Sequence, residues 1–464
     1  GGMDNGTLST MMCNTTGNRN TAIGNAALVK NTTADNNTAV GTLALYANTT
    51  GAKNSAFGVF ALENNTTGAE NVALGKDSLG ANTTGPNNTA VGTNSLRRNT
   101  EGEDNTAVGN LALCTNTTGD HNVAVGLSAL HKNTTADNNV AVGTCASGCN
   151  TDGHSNVSIG FSALCTNTTG DKNIAIGHQS LLSLATANEI VAIGYNSLRA
   201  LTTGTDNTAV GFEAGKSITT GDRNTAMGYL ALSTMTTVAD NTAVGYKAMT
   251  ANTSGSNNTA VGKDAMLANT TGANNVAIGQ NALETSTSGG ANTAVGQLAA
   301  QDLTTGAENT AIGHEAGNNI TTGTNNTLLG HEAGTDAVAN VVASNGNIVI
   351  GNNYSASAKI KIDWTVTSDL RDKTEIESVP HGLNFVNQIT PIKYRFKTSR
   401  ENDTPNGVTR YGFKAQEILA LEGENPVLVD NGDTDNLKLT GAYLLPVLVN
   451  AIKELKARIE VLEN

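Results

Sequence analysis

Asn37-Thr38-Ala39-Val40-Gly41, continuing through Ala44-Leu45 and the turn Asn48-Thr49-Thr50-Gly51 to Lys53, is one copy of a 17-residue unit. The copy before it opens Asn20-Thr21-Ala22-Ile23-Gly24, and the copy after it opens Asn54-Ser55-Ala56-Phe57-Gly58. The step stays at 17 residues from Asn20 to Asn326, which makes 19 copies. The fifth position is Gly in all 19, and the first is Asn in all but the copy that starts at Ile190. A last copy, Asn347-Ile348-Val349-Ile350-Gly351, follows a four-residue insertion.

A fixed period of this length is the mark of a repeat architecture, in which one turn cannot bury its apolar side and stacked turns can. The apolar spacing is not 3.6, and each turn Gly interrupts any helix, so the unit reads as one coil of a parallel β-solenoid. Stacked at about 4.8 Å, 19 coils give a shaft on the order of 90 Å. Alternation along the strand puts positions two and four on one side. Position four is Val or Ile with Phe, Leu and Met variants, so these two positions are expected to face inward with the Leu near position nine. The position-five Gly is expected at a corner that needs φ > 0 or a close backbone approach. The turn Gly is expected to meet the same demand more softly, since Ala34, Ala136, Ala187 and Val238 replace it.

Composition supports a thin core. Aromatics are 3% and charged residues 14% of 464 residues, with 51 Gly. A net charge of −13 with no basic stripe argues against nucleic acid as a partner. No run approaches the roughly 18–20 apolar residues of a membrane span. Gly1-Gly2-Met3-Asp4 shows no signal peptide. The five cysteines, Cys13, Cys114, Cys145, Cys149 and Cys165, have no metal-binding spacing. Cys114 and Cys165 share a repeat phase three coils apart, about 14 Å, beyond the roughly 7 Å that a disulfide spans. All five are read as free thiols, and no cofactor or metal is expected.

Three chemistries are open to the shaft. The Asn-x-Thr sequons are better explained by turn chemistry than as glycan acceptors. Asp104, Asp171, Asp206 and Asp240 precede repeat starts and offer oxygen ligands for calcium, but read as a solvated edge. Repetition singles out no carboxylate pair for sugar cleavage. The Val-Ala-Ile-Gly flavour of the units resembles the head of YadA-like trimeric adhesins, whose repeats are shorter. That resemblance implies a trimeric β-roll.

After Gly351 the composition changes. Lys359-Ile360-Lys361-Ile362 reads as a strand, near Trp364, the only Trp. Ser368-Asp369-Leu370-Arg371-Asp372-Lys373, with Ile376 beyond, opens a stretch that resembles the endosialidase-type intramolecular chaperone domain of phage tail fibres and tailspikes. Pro391-Ile392-Lys393-Tyr394, then Gly412-Phe413-Lys414-Ala415-Gln416-Glu417, then Asn425-Pro426-Val427-Leu428-Val429 match its further motifs in order. The resemblance covers 368–464 and implies self-cleavage by a Ser368–Lys373 dyad. A Ser hydroxyl needs a base, and a Lys serves when its pKa is lowered. Chemistry favours the Thr367–Ser368 bond as the one cut, with Ser368–Asp369 as the alternative. Arg371, Ile376, Gly412, Phe413, Gln416 and Glu417 are the accompanying motif residues. His381 reads as structural.

Leu445, Leu448, Ile452, Leu455, Ile459 and Leu462 are spaced 3-4-3-4-3, a heptad seam over 444–463. Ile at the later a positions with Leu at d leans towards two strands; both resemblances imply three. The expected organisation is an N-terminal edge at 1–19, a β-solenoid shaft at 20–351, a connecting strand at 352–367, and a small α+β chaperone and auto-peptidase domain at 368–464. The expected function is a homotrimeric virion tail fibre, made in the host cytoplasm and extracellular when mature. Its partners would be itself, tail or baseplate proteins, and a host receptor, a glycan by expectation. A bacterial trimeric surface adhesin and the stem of a glycan-cleaving tailspike are the alternatives. An ice- or mineral-binding solenoid is set aside because Thr is read as inward-facing.

Overall fold

A computed structural model describes residues 9–335, 339–352, 354–355, 368–397, 400, 402–424, 426–432, 434 and 437–463. The expected strand at 359–362 lies outside the described residues. The chain divides into two compact units, Gly1–His331 with Val341–Ile348, and Glu332–Asn340 with Val349–Asn464.

The first unit is a parallel β-solenoid. Its strands run from β1 (Thr21–Ile23) to β19 (Thr327–Leu329), and β20 (Ile348–Ile350) closes the series. Each has three residues and pairs in parallel with the strand one repeat on, as in Thr38↔Ser55, Ala39↔Ala56 and Val40↔Phe57. The rest of each coil is also tied to its neighbour by backbone hydrogen bonds. Leu45 N–H donates to Ala61 O at 3.0 Å, Thr49 N–H to Thr66 O at 2.9 Å and Gly58 N–H to Val40 O at 2.8 Å. The mostly β, repeat-built architecture expected from the period is the one observed.

The inward face is not the expected one. Position three, Ala in nearly every coil, is buried in every coil after the first, as at Ala39, Ala107 and Ala226, while positions two and four face out. The wall opposite the strand supplies the bulk: position nine (Leu45, Leu79, Leu113) is fully buried, as expected, beside a small residue at position eight. In most coils a core this thin takes one large side chain, and a second enters where an apolar residue replaces a column Asn, as at Leu184, Ile190 and Leu201. Leu from one wall meets Ala from the other, and a second β-branched column would overpack it. The outward placement of position two also removes the premise on which surface Thr was set aside.

Two buried Asn columns complete the interior. The position-one Asn54 donates its side-chain amide to Gly68 O at 2.8 Å, and its backbone N–H donates to Asn37 Oδ1 at 2.9 Å. At position twelve, Asn48 donates to Asn31 Oδ1 at 2.9 Å and to Gly51 O at 3.0 Å. The two columns thus rivet coil to coil, and the fully buried sequon Asn48 is no glycan acceptor.

The corner Gly meets both demands. Gly24 has φ 128°, and a Cβ there would lie 2.6 Å from Gly41 O. The turn Gly differs: Gly68 is not at positive φ, and its constraint is space alone, with a Cβ 2.7 Å from Gly85 O. Ordinary φ is why Ala34 and Val238 are tolerated at that position.

The second unit is small and mixed. It comprises a helical turn α1 (Leu383–Val386), the antiparallel pair β21 (Ile392–Lys397) and β22 (Pro405–Gly412), helix α2 (Ala415–Glu422), the short pair β23 (Val429–Asp430) and β24 (Lys438–Leu439), and helix α3 (Leu444–Glu463). Its core gathers Phe385, Ile418, Leu428, Val429, Leu444 and Val447. Among the described residues no helix is long and apolar enough to cross a membrane.

Candidate functional site

Ser-Asp is strong turn chemistry, and here it starts a single 3-10 turn, Leu370–Asp372. The Asp369 side chain caps it, accepting from Arg371 N–H at 2.9 Å. The Arg371 guanidinium returns on the same carboxylate, Nη2 to Oδ2 at 2.6 Å and Nε to Oδ1 at 3.1 Å. These bonds, the side-chain one first, hold the Asp369 carboxyl below the usual carboxylate range. One turn on, Lys373 N–H donates to Leu370 O at 3.2 Å. That closure swings the lysine back over the start of the segment. Lys373 Nζ lies 2.8 Å from Ser368 Oγ and 3.2 Å from Ser368 O.

The sequence-derived pair is therefore in hydrogen-bond contact, on an exposed turn. Thr367 lies outside the described residues. Asp369 and Arg371 form the turn that carries the pair. Ile376 is exposed.

The second motif group serves the domain's architecture. Gly412 ends β22; a Cβ there would be 3.0 Å from the Tyr394 ring. Phe413 packs on the core. Gln416 is exposed on α2. Glu417 accepts from Thr390 Oγ1 at 2.9 Å through Oε1, and its buried Oε2 has no partner. Among the described residues no hydrogen bond joins this group to the dyad.

Two anchors escaped sequence reading. The Glu422 carboxylate accepts three successive backbone N–H groups, from Val427 at 2.9 Å, Leu428 at 2.7 Å and Val429 at 3.0 Å. Glu454 on α3 accepts from Leu383 N–H at 2.8 Å and so fixes the start of α1. The Glu454 pairing spans 71 residues and the Glu422 bonds span five to seven, and no local motif announces either. His381 stacks on Phe385 with ring centroids 4.2 Å apart, and its carbonyl accepts from Asn450 at 2.9 Å.

Helix α3 has two faces. Leu444, Val447 and Ala451 are buried on the domain, while the heptad seam Leu445, Leu448, Ile452, Leu455, Ile459 and Leu462 is exposed. A continuous apolar seam in water is unfavourable for a lone chain.

The shaft holds no metal cluster among the described residues. Of the acidic candidates, Asp240 is paired to Arg223 at 2.7 Å and Asp104 lies 3.5 Å from His121. Asp171 accepts from the backbone of His154 at 2.7 Å, and Asp206 from Thr205 Oγ1 at 3.0 Å.

Residues 368–427 match the family described as chaperone of endosialidase. No curated protein and no solved structure matches the chain.

Proposed function

We propose that this chain is the shaft and assembly domain of a homotrimeric virion tail fibre that attaches to a host surface. Its C-terminal domain brings three copies together, sets their register and is then released by self-cleavage beside Ser368. The observation that carries this reading is the 2.8 Å contact between Lys373 Nζ and Ser368 Oγ inside the segment that matches a chaperone family. The exposed seam of α3 supports assembly, because copies of the same seam cover one another.

The chemistry follows from the pair. Neutral Lys373 takes the Ser368 hydroxyl proton. The Oγ then attacks the Thr367 carbonyl carbon through a five-membered ring, and the C–N bond breaks as the nitrogen gains a proton. The ester that results is hydrolysed by water, leaving a Thr367 carboxylate and a free Ser368 amine. The dyad is open to solvent in one chain, and an amine loses its proton more readily when desolvated. Packing of neighbouring copies over the turn supplies that desolvation.

Intact-mass spectrometry of the full chain beside Ser368→Ala tests the reading. The expected result is a wild-type split after residue 367 and an uncut, trimeric variant. An uncut wild type rules out the catalytic role and leaves an assembly cap.

A further inference from the structure

Six consecutive coils carry an aromatic residue at position six, the residue after the corner Gly: Phe161, His178, Tyr195, Phe212, Tyr229 and Tyr246. Their rings form one continuous stack, with centroids 5.1 to 5.3 Å apart and planes within 7 to 16° of parallel. The stack is not buried. Phe161, Tyr195, Phe212, Tyr229 and Tyr246 each expose 42 to 50% of their surface. Two residues earlier along each strand runs the outward column of position four, where Ile159, Ile193 and Met227 are also exposed.

We infer that this ladder is a register key, the part of the shaft that aligns coil against coil when copies of this chain pack side by side. The inference rests on the trimeric reading above and names the residues that choose one alignment among many. The stack geometry decides what the ladder can meet. Each inner ring has both faces covered by its neighbours, so it presents its edge. A sugar binds aromatic residues through open ring faces, which an unbroken stack withholds. A row of edges spaced by one coil instead fits a surface with the same spacing, and a second copy of this chain has that spacing by construction. The outward columns at positions two, four and six form a stripe on the order of 90 Å by 10 Å. That reaches the roughly 800 Å2 per partner of a standard interface.

A repeating shaft has a register problem that this ladder solves. A slip of 17 residues matches Gly to Gly and Asn to Asn, so the repeat itself barely resists it. Position six is not repeated in that way. It is Lys76, Thr93, Asn110, Leu127 and Thr144 before the ladder and Lys263, Gln280 and Gln297 after it, and the next stacked rings, His314 and His331, make a pair and not a row of six. A slip by one coil pushes an end ring of one copy against Thr144 or Lys263 of another and leaves one ring uncovered. Each further slip uncovers one more.

The test uses the full chain carrying a nitroxide on p-acetylphenylalanine at Asp302, an exposed residue off the stripe in the coil three beyond the ladder. Electron–electron resonance between copies is expected to give one narrow distance. In Tyr195→Ser/Phe212→Ser/Tyr229→Ser, further distances are expected, from copies displaced along the shaft by about 5 Å per coil. A trimeric variant that keeps the single distance overturns the ladder and leaves the trimer standing. A wild type that is monomeric by sedimentation overturns both, and ring signals moved there by an oligosaccharide would assign the stripe to a glycan. Should the triple variant fail to fold, Phe212→Ser interrupts the stack at one coil. An unchanged single distance in that variant is equally fatal.

Discussion

The two units are held together by opposite means. In the shaft, the strand, the corner Gly and long runs of the Asn columns repeat from coil to coil, so a backbone or amide contact within a run has a copy above and a copy below. In the C-terminal unit, each contact occurs once: Glu422 under one loop, Glu454 under one helical turn, one core of some fourteen apolar side chains. The difference teaches where a substitution hurts. In the shaft, damage depends on whether the coils on either side can still close on the altered one. In the C-terminal unit, it depends only on the local partner.

Glycine breaks the comparison most sharply. Gly109 has φ 137°, and a Cβ there would lie 2.5 Å from Gly126 O in the next coil. Gly109→Ala is expected to cost about 3 kcal/mol or more, since strain and a backbone clash add. Nothing lies within 4 Å of a Cβ built on Gly441 in the C-terminal unit. Gly441→Ala is expected to stay within about 0.5 kcal/mol. Scanning calorimetry of both variants, with limited proteolysis to find the opened coil, decides. Equal shifts in the two would mean that the stack does not transmit the clash.

The Asn columns give the next effect. Asn116 donates to Asn99 Oδ1 at 2.8 Å and accepts from Asn133 at 2.8 Å. Asn116→Leu strips both neighbours and is expected to cost about 2–4 kcal/mol. Yet the same position is Leu184, Leu201, Ile218 and Met235 in four consecutive coils, all buried. A whole block can be apolar because no amide is left half-paired. Changing Asn99, Asn116, Asn133 and Asn150 together to Leu should therefore cost less per residue than the single change. A strictly additive cost would refute the ladder account. Where the column breaks off naturally, it leaves a visible scar. Asn269 Oδ1 and Ser286 Oγ are both buried without partners. Ser286→Asn supplies the missing donor and is expected to raise stability by about 1 kcal/mol, read as a higher unfolding midpoint.

How much of this was legible in the sequence follows the same division. The period, the corner Gly and the buried Leu at position nine were readable because 19 copies average away local accident. The parity of the strand is hidden because hydrophobicity does not report burial here. Val40 and Ile176 look like core and Ala39 looks neutral, but the narrow interior admits the small residue and leaves the large ones on the outside. The left-handed residues at positions seven and nine, such as Leu43 at φ 59° and Leu45 at φ 51°, carry no signal at all. Leu disfavours that region by roughly 1–2 kcal/mol, and only the stacked hydrogen bonds hold it there. In the C-terminal unit the Ser368–Lys373 pair was legible because turn residues close it within six positions. Glu454 was not, since its partner is set by tertiary packing; Glu422, though five to seven residues from its partners, sits at the end of a helix with no turn motif to mark it.

The smallest effect expected is at the turn that carries the dyad. Bonding to Arg371 holds the Asp369 carboxyl below its ordinary range. A lowered folded value gives stability that is present above the unfolded value of about 3.9 and is lost as pH falls through the folded one. The pair sits in open solvent, so salt screens it and the global unfolding midpoint should barely respond. The local readout is sharper. A carbon-detected NMR titration of the Asp369 carboxyl should place its midpoint below the ordinary carboxylate range, and Arg371→Ala should return it to that range. The turn would then lose its cap and its clamp together, and Lys373 Nζ would spend less time beside Ser368 Oγ. Slower self-cleavage with an unchanged unfolding midpoint is the paired result expected. An unmoved Asp369 midpoint in Arg371→Ala would mean that the guanidinium clamp is not formed in solution, and the turn's hold on the dyad would then rest on its backbone alone.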